Sequence, residues 1–207
     1  GFCLVGSEMC IRDSIYEKLL SELQSAGDAG EFYTPRAVTE FIVSQVNPEL
    51  HEKILDPACG TGGFLINVIE HLRKKAKTED DQKLLQEAFS GIEKKHLPYI
   101  LCMTNLLLHG IDIPKNVKSD NTLARPLKDW RIDEKVDVIV TNPPFGGIEE
   151  DGIEKGFGEF KTKETADLFL VLMMRLLKNG GRAGLVLPDS TLFGEGVKTR
   201  IKEALLK

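Results

Sequence analysis

The 207-residue chain has no apolar run approaching the roughly 20 residues that a membrane-spanning helix needs. Its longest, residues 168–174, is broken by Arg175, so a soluble protein is expected. Cysteine is scarce: Cys3, Cys10, Cys59 and Cys102 form no C-x-x-C pair and are too few for a secreted disulfide scaffold. A zinc site and a disulfide framework are both disfavoured, and a reducing cytoplasm is the expected setting. Surplus positive charge is missing too, since the net charge is −5. That argues against holding nucleic acid by overall field, while leaving room for a local basic face. The chain carries no internal repeats. It also lacks both the G-x-G-x-x-G dinucleotide fingerprint and the G-K-[ST] of a phosphate-binding loop.

What is present is ordinary globular composition, 42 % hydrophobic and 29 % charged, enough for one sizeable core. The opening "GFCLVGSEMCIRDS" has neither the basic n-region nor the long apolar h-region of a signal peptide. It looks like translated adapter sequence from short-read assembly, so residues 1–13 are expected to be a foreign tail. Residues 14–30 then read as a helix and linker, and 31–207 as the main domain. The chain lacks a starting methionine and stops inside an amphipathic pattern over residues 196–207, with no Gly or Asn stop signal. A fragment missing both natural ends, and so truncated at the C-terminus, is expected.

Residues 15–25 have apolar positions at helical spacing, and "SAGDAG" ends them. In "TPRAVTEFIVSQV", Thr34 suits an N-cap, Pro35 the first turn, and Val38, Phe41, Ile42 and Val46 one apolar stripe. From there strand and helix alternate. "KILDPACGTGGFLINVIEHLRKK" reads as strand, glycine turn and helix; "FSGIEKKHLPYILCMTNLLLHGI" repeats the unit after an acidic linker around residues 79–81. "VDVIVTNPPF" opens with a buried strand, "TADLFLVLMMRLLKNGG" is a helix capped by Asn179 and Gly180, and "RAGLVLP" is another strand. Repeated β-α units predict an α/β fold, a doubly wound, mostly parallel sheet.

Ligands in such sheets bind beyond the carboxyl ends of the strands. In "LDPACGTGG", Asp56 ends a strand, and Gly60, Gly62 and Gly63 let a backbone turn approach a ligand before a helix begins at Phe64. A nucleoside with an amino-acid tail fits: Asp56 can pair with an ammonium group, and the turn can cradle a carboxylate or ribose. A plain tight β-α turn would carry the same glycines. Glu93 in "SGIEKK" falls at a strand end, where a carboxylate can accept from both ribose hydroxyls, and Asp120 in "KSDNTL" can accept from an adenine amine. A solvated charge and an Asx turn are the plainer readings of these two.

The run "TNPPFGG" raises a different question, because Pro143 and Pro144 lack amide hydrogens and cannot extend the sheet ladder. Each proline also biases the residue before it to an extended backbone. The Asn142 side-chain oxygen and the Pro143 carbonyl are thereby fixed as two acceptors, and Phe145 offers a stacking face. An amino group with two hydrogens on a flat ring, most simply a nucleobase, is the matching substrate. Two acceptors holding those hydrogens favour a nitrogen whose lone pair can attack.

Taken in order, "LDPACGTGG", "GIE", "SDNTL" and "TNPPF" resemble the motifs of S-adenosylmethionine-dependent DNA adenine-N6 methyltransferases. "GEFYTPR" before them and "ADLFLVLMMRLLKNGGRAGLVLPDSTLF" after them resemble the modification subunit of type I restriction–modification systems. The resemblance spans residues 15–207. It implies the Rossmann-like methyltransferase fold and S-adenosyl-L-methionine as cofactor. As implied partners it brings DNA presenting a flipped adenine, a specificity subunit and, in systems that cleave, a restriction subunit. It places Glu31, Phe32, Tyr33, Thr34, Pro35 and Arg36 over the methionine end of the cofactor. Ala58, Gly60, Thr61, Gly62 and Gly63 fall in the cofactor turn. Asp56 takes the cofactor's amino group, Glu93 its ribose and Asp120 its adenine, and Asn121 stands where many relatives carry an apolar or aromatic residue. Asn142, Pro143, Pro144 and Phe145 receive the target base. Glutamine-N5 protein methylation, guanine-N2 RNA methylation and a non-catalytic binding module are the competing readings; "EFYTPR" and the phenylalanine of "NPPF" favour adenine in DNA.

Overall fold

The computed structural model describes residues 34–206, and the expectations for the tail, the first helix and linker, and for Glu31, Phe32 and Tyr33 lie outside them. The chain enters through helix α1 (Arg36–Val46) and strand β1 (Ile54–Asp56), followed by α2 (Gly63–Lys75) and α3 (Glu79–Glu87). Strand β2 (Phe89–Glu93), α4 (His96–Leu108) and β3 (Val117–Ser119) complete the first half. The second half runs β4 (Val136–Thr141), α5 (Thr165–Leu176), β5 (Leu177–Leu185), α6 (Asp189–Phe193) and α7 (Val197–Leu205).

All described strand pairs are parallel, in the order β3-β2-β1-β4-β5. The chain builds outward from β1 to β3 on one side, then returns to start again at β4. The reversal falls between β1 and β4, the topological switch point where sheets of this class open a crevice.

Strand periodicity explains the two cores. Ile54, Phe89, Val138 and Val140 face one layer with α1 to α4, where Leu65, Ile69, Leu72 and Leu106 are wholly buried. Leu55 and Ile139 point the other way, onto α5 and Ile201 of α7. Burying each such aliphatic side chain contributes roughly 1.5–3 kcal/mol. Helices on both faces bear out the doubly wound expectation.

Local expectations needed correction in several places. The inward line of α1 is Thr39, Val43 and Val46 with partly buried Ile42, while Val38 and Phe41 are exposed. Thr39 is tolerated inside because its hydroxyl accepts from Asn67 Nδ2. Thr34 does not cap α1; Pro35 holds the N-cap position without a side-chain cap bond. The acidic stretch is no linker but the first turn of α3, closed by a capping box in which Thr78 and Asp81 bond each other's backbone amides.

The largest local difference lies at "LKNGG". Helix α5 ends at Leu176, and Asn179 and Gly180 fall inside β5, with Gly180 at φ 77°. Val136 pairs with Leu177 and Val138 with Arg182, so the extra residues form a bulge. Lys178 pins it by donating to both Asp137 carboxylate oxygens at 2.8 and 2.7 Å. A Cβ on Gly181 would sit 3.0 Å from the Asp137 carbonyl, so glycine allows the close approach.

No helix among the described residues is long and apolar enough to cross a membrane.

Candidate functional site

Asp56 is the last residue of β1, and Asn142 follows the last residue of β4 directly, so both stand at the mouth of the switch-point crevice. They are linked through one side chain. Thr141 Oγ1, fully buried, donates to Asp56 Oδ1 at 2.7 Å, and the Ala58 amide donates to the same oxygen at 3.1 Å. Asp56 is 1 % exposed, and burial pushes its carboxyl up to about 7 despite the Thr141 and Ala58 bonds. A buried acid so raised is poised to take a cationic neighbour.

Above Asp56 the glycine turn closes with Gly62 N donating to the Cys59 carbonyl at 2.8 Å. Gly60 and Gly62 adopt φ of 52° and 88°, and a Cβ on Gly62 would come within 2.8 Å of Cys102 Sγ. Only glycine satisfies both the backbone and the α4 side chain beneath it. Cys59 and Cys102 lie 3.9 Å apart, sulfur to sulfur; that contact and burial hold the Cys59 thiol well above its ordinary range. This is packing rather than a reactive thiol.

Glu93, at the end of β2, braces the same turn. Its Oε2 accepts from Gly60 N at 2.9 Å and its Oε1 from Lys95 N at 2.7 Å. Asn105 Nδ2 donates to the Thr61 carbonyl at 3.2 Å, and Thr122 Oγ1 to the Pro57 carbonyl at 2.6 Å. Asp120 follows β3, is exposed, and accepts from the Asn121 amide at 2.8 Å, while Asn121 Oδ1 caps the short turn from Thr122 by accepting from Leu123 N. Arg36 reaches Glu40 and Glu70 at 2.9 and 3.2 Å.

The "TNPPF" segment is built otherwise. Asn142 Nδ2 donates to Thr34 Oγ1 at 2.8 Å, while Asn142 Oδ1 is buried and has no hydrogen-bond partner among the described residues. An unsatisfied buried acceptor costs about 1–3 kcal/mol, so its retention asks for a functional reason. Pro143 is buried, Pro144 exposed and Phe145 half-buried. Beyond them the chain folds back, with Glu149 taking Lys94 at 3.1 Å and the Thr165 amide donating to the Gly147 carbonyl at 3.1 Å.

The structure thus brings Asp56, Ala58, Gly60, Thr61, Gly62, Gly63, Glu93, Asp120 and Asn121 to successive strand ends on one sheet edge, beside Asn142 to Phe145. Sequence reasoning missed the braces Thr141, Thr122, Asn105 and Cys102. Thr141 carried a usable signal, a hydroxyl closing an otherwise apolar half-strand, "VIVT". The others depend on contacts across 43 to 65 residues and had no local one.

Comparison with known proteins agrees with this geometry. A family model described as N-6 DNA Methylase matches residues 11–207. The chain is 61 % identical over 193 residues to the type I restriction enzyme EcoEI methylase subunit of Escherichia coli, covering 92 % of this chain and 39 % of that protein. It is 31 % identical over 204 residues to the EcoKI methylase subunit of Escherichia coli K12, covering 93 % of this chain and 38 % of that one. A solved modification subunit assigned to a type I restriction enzyme from Vibrio vulnificus YJ016 superposes with TM-score 0.88 at 49 % identity, covering 97 % of this chain and 43 % of that one. The EcoKI M protein superposes with TM-score 0.71 at 29 % identity, covering 85 % and 38 %. The chain spans about two fifths of the length of these relatives. With nearly its whole length matched by the family model, this chain belongs to the N-6 DNA methylase family.

Proposed function

We propose that the protein transfers a methyl group from S-adenosylmethionine to the N6 amine of adenine in DNA, as the modification subunit of a type I restriction–modification system. The observation that carries this reading is Asn142 Oδ1, a buried acceptor without a partner among the described residues, at the mouth of the crevice. An exocyclic amine supplies the missing donor.

The residues present fit the cofactor. The Gly60 and Gly62 turn has backbone conformations and clearances that side chains would destroy, and the buried Asp56 carboxyl gains from a cation above it. When bound, S-adenosylmethionine supplies an electrophilic methyl group. Thr61, Gly62 and Gly63 line its turn with Ala58 and Gly60, Asp56 attracts its ammonium group, Glu93 accepts from its ribose, and Asp120 with Asn121 borders its adenine. Pro35 and Arg36, at the start of α1, would lie toward the methionine end.

A target adenine is out of reach inside a duplex, so it leaves the stack, and Phe145 takes its flat face. Asn142 Oδ1 and the Pro143 carbonyl hold the two N6 hydrogens, which keeps the nitrogen lone pair directed at the incoming methyl carbon. Pro143 and Pro144 stiffen the backbone that carries both acceptors. No general base is required before attack: the C–N bond would form as the sulfonium S–CH3 bond breaks with its electron pair kept by sulfur, and the methylated nitrogen would then release one proton to water. With a net charge of −5, much of the DNA grip would lie with a partner such as a specificity subunit or with residues outside this chain.

The full-length protein with its partner subunits tests this reading. It should methylate adenine in DNA, and not RNA or a glutamine-bearing release-factor-like protein. Methyl transfer to either control in place of DNA would replace the proposal.

A further inference from the structure

Asn142 and Thr34 stand 108 residues apart, and each is followed by a proline. Both backbones are therefore biased to extended conformations, and the 2.8 Å bond from Asn142 Nδ2 to Thr34 Oγ1 joins two stiff segments. Pro35 leads straight into α1, whose Val43 and Val46 are buried in the core, so the Thr34 hydroxyl is anchored to the sheet by a packed helix. The Asn142 amide has an accepting end and a donating end, and its terminal torsion is broad and roughly two-fold. Left free, it would present either end to the crevice. An oxygen there accepts from an incoming amine; an NH2 group there repels it.

We infer that Thr34 is a positioning residue, whose hydroxyl holds the Asn142 amide in place by accepting from Nδ2 and so leaves Oδ1 turned to the substrate amine. This rests on the proposed function for what the amine is, and on the geometry alone for the amide. It gives Thr34 a task other than the cofactor contact that the family resemblance implies.

The complete protein with its partner subunits provides the test, on adenine-containing plasmid DNA. Thr34→Val removes the hydroxyl at nearly constant size, and Thr34→Ser restores it. Loss of one neutral hydrogen bond should slow single-turnover methylation at saturating S-adenosylmethionine by roughly three- to tenfold in Thr34→Val. Cofactor affinity by calorimetry should stay within about twofold, and Thr34→Ser should recover the rate. A defect in Thr34→Val that saturating cofactor abolishes would make Thr34 a cofactor contact and overturn the inference, as would an unchanged rate.

A second readout needs no turnover. The side-chain amide hydrogens of Asn142, identified by NMR through their loss in Asn142→Asp, should exchange with solvent faster in Thr34→Val than in the wild type. Equal protection in the two would also overturn it. Should the wild type methylate no adenine, the proposed function falls, and the exchange measurement still decides whether Thr34 holds Asn142.

Discussion

The two halves of the crevice are stabilised in opposite ways. Around the glycine turn, backbone groups are met by neighbouring side chains: Glu93 takes Gly60 N and Lys95 N, Asp56 takes Ala58 N, Asn105 serves the Thr61 carbonyl and Thr122 the Pro57 carbonyl. At "TNPPF" the backbone is stiffened by its own proline rings, Thr141 bonds to Asp56 and Asn142 to Thr34, and the Asn142 oxygen is left unmet among the described residues. The glycine-turn half is a socket whose backbone groups are largely met, although Asn105 Oδ1 beside it is also buried without a partner among the described residues. The catalytic half keeps polar capacity in reserve, as expected where a group acts on a transition state rather than on a resting ligand.

The largest effect is expected from emptying that reserve. Asn142→Ala should cut single-turnover methylation by about 100- to 1,000-fold, equivalent to about 2.7–4 kcal/mol, with cofactor affinity unchanged. A wild-type rate would reduce "TNPPF" to a turn and erase the contrast between the halves. Damage to the socket should behave differently. In Gly62→Ala a Cβ meets Cys102 Sγ at 2.8 Å on a backbone at φ 88°, so overpacking and strain should lower stability by about 1–3 kcal/mol, seen as a reduced Tm. A parallel loss of cofactor binding should accompany it, and an unchanged Tm would show that the turn is looser than its contacts indicate.

Glu93→Ala removes the proposed ribose acceptor and two backbone braces together, so cofactor affinity should fall by about 1–3 kcal/mol in calorimetry. Equal affinity in mutant and wild type would remove Glu93 from the socket.

The smallest effect concerns protons. Asp56 titrates at about 7 when folded, above the ordinary carboxylate value of 3.8, so the folded state favours its neutral form. Its contribution to stability is therefore fully present below 3.8 and is lost as pH rises through about 7. A bound ammonium group works the other way and favours the carboxylate. Cofactor affinity should accordingly rise severalfold from pH 6 to about 7.5, while the cofactor's own α-amino group is still largely protonated, with proton release at the lower end. Asp56→Asn should flatten that profile, and a flat profile in the wild type would mean that Asp56 does not sense the cofactor's charge.

Much of the socket was legible because its requirements are local. A tight turn before a helix needs residues free to take positive φ, and Gly60 and Gly62 do. The strand ends at Asp56 and Glu93 followed from short apolar runs, and two adjacent prolines had to stop β4. The misreadings came where one residue type serves two structures. "KNGG" has the composition of a helix cap, yet the Asp137 to Lys178 pair makes it a strand bulge, and "EDD" looked like a linker until Thr78 and Asp81 capped a helix. Phe41 reads as core by its chemistry and is 63 % exposed, because Val43, Val46 and partly buried Ile42 form the packed side of α1, where the bond from Asn67 lets Thr39 be buried.

By itself the sequence determined what depends on neighbours along the chain: the alternation of β and α, the parallel sheet that follows from it, the glycine turn, and the rigid pair of prolines. Backbone sterics and hydrophobic period act over a few residues and leave a readable trace. Only the tertiary structure decided which polar groups meet across the crevice. Asp56 finds Thr141 across 85 residues, and Asn142 finds Thr34 across 108. Such pairings are set by the order in which strands are laid into the sheet, and a hydroxyl in the chain carries no mark of the partner that folding will bring to it.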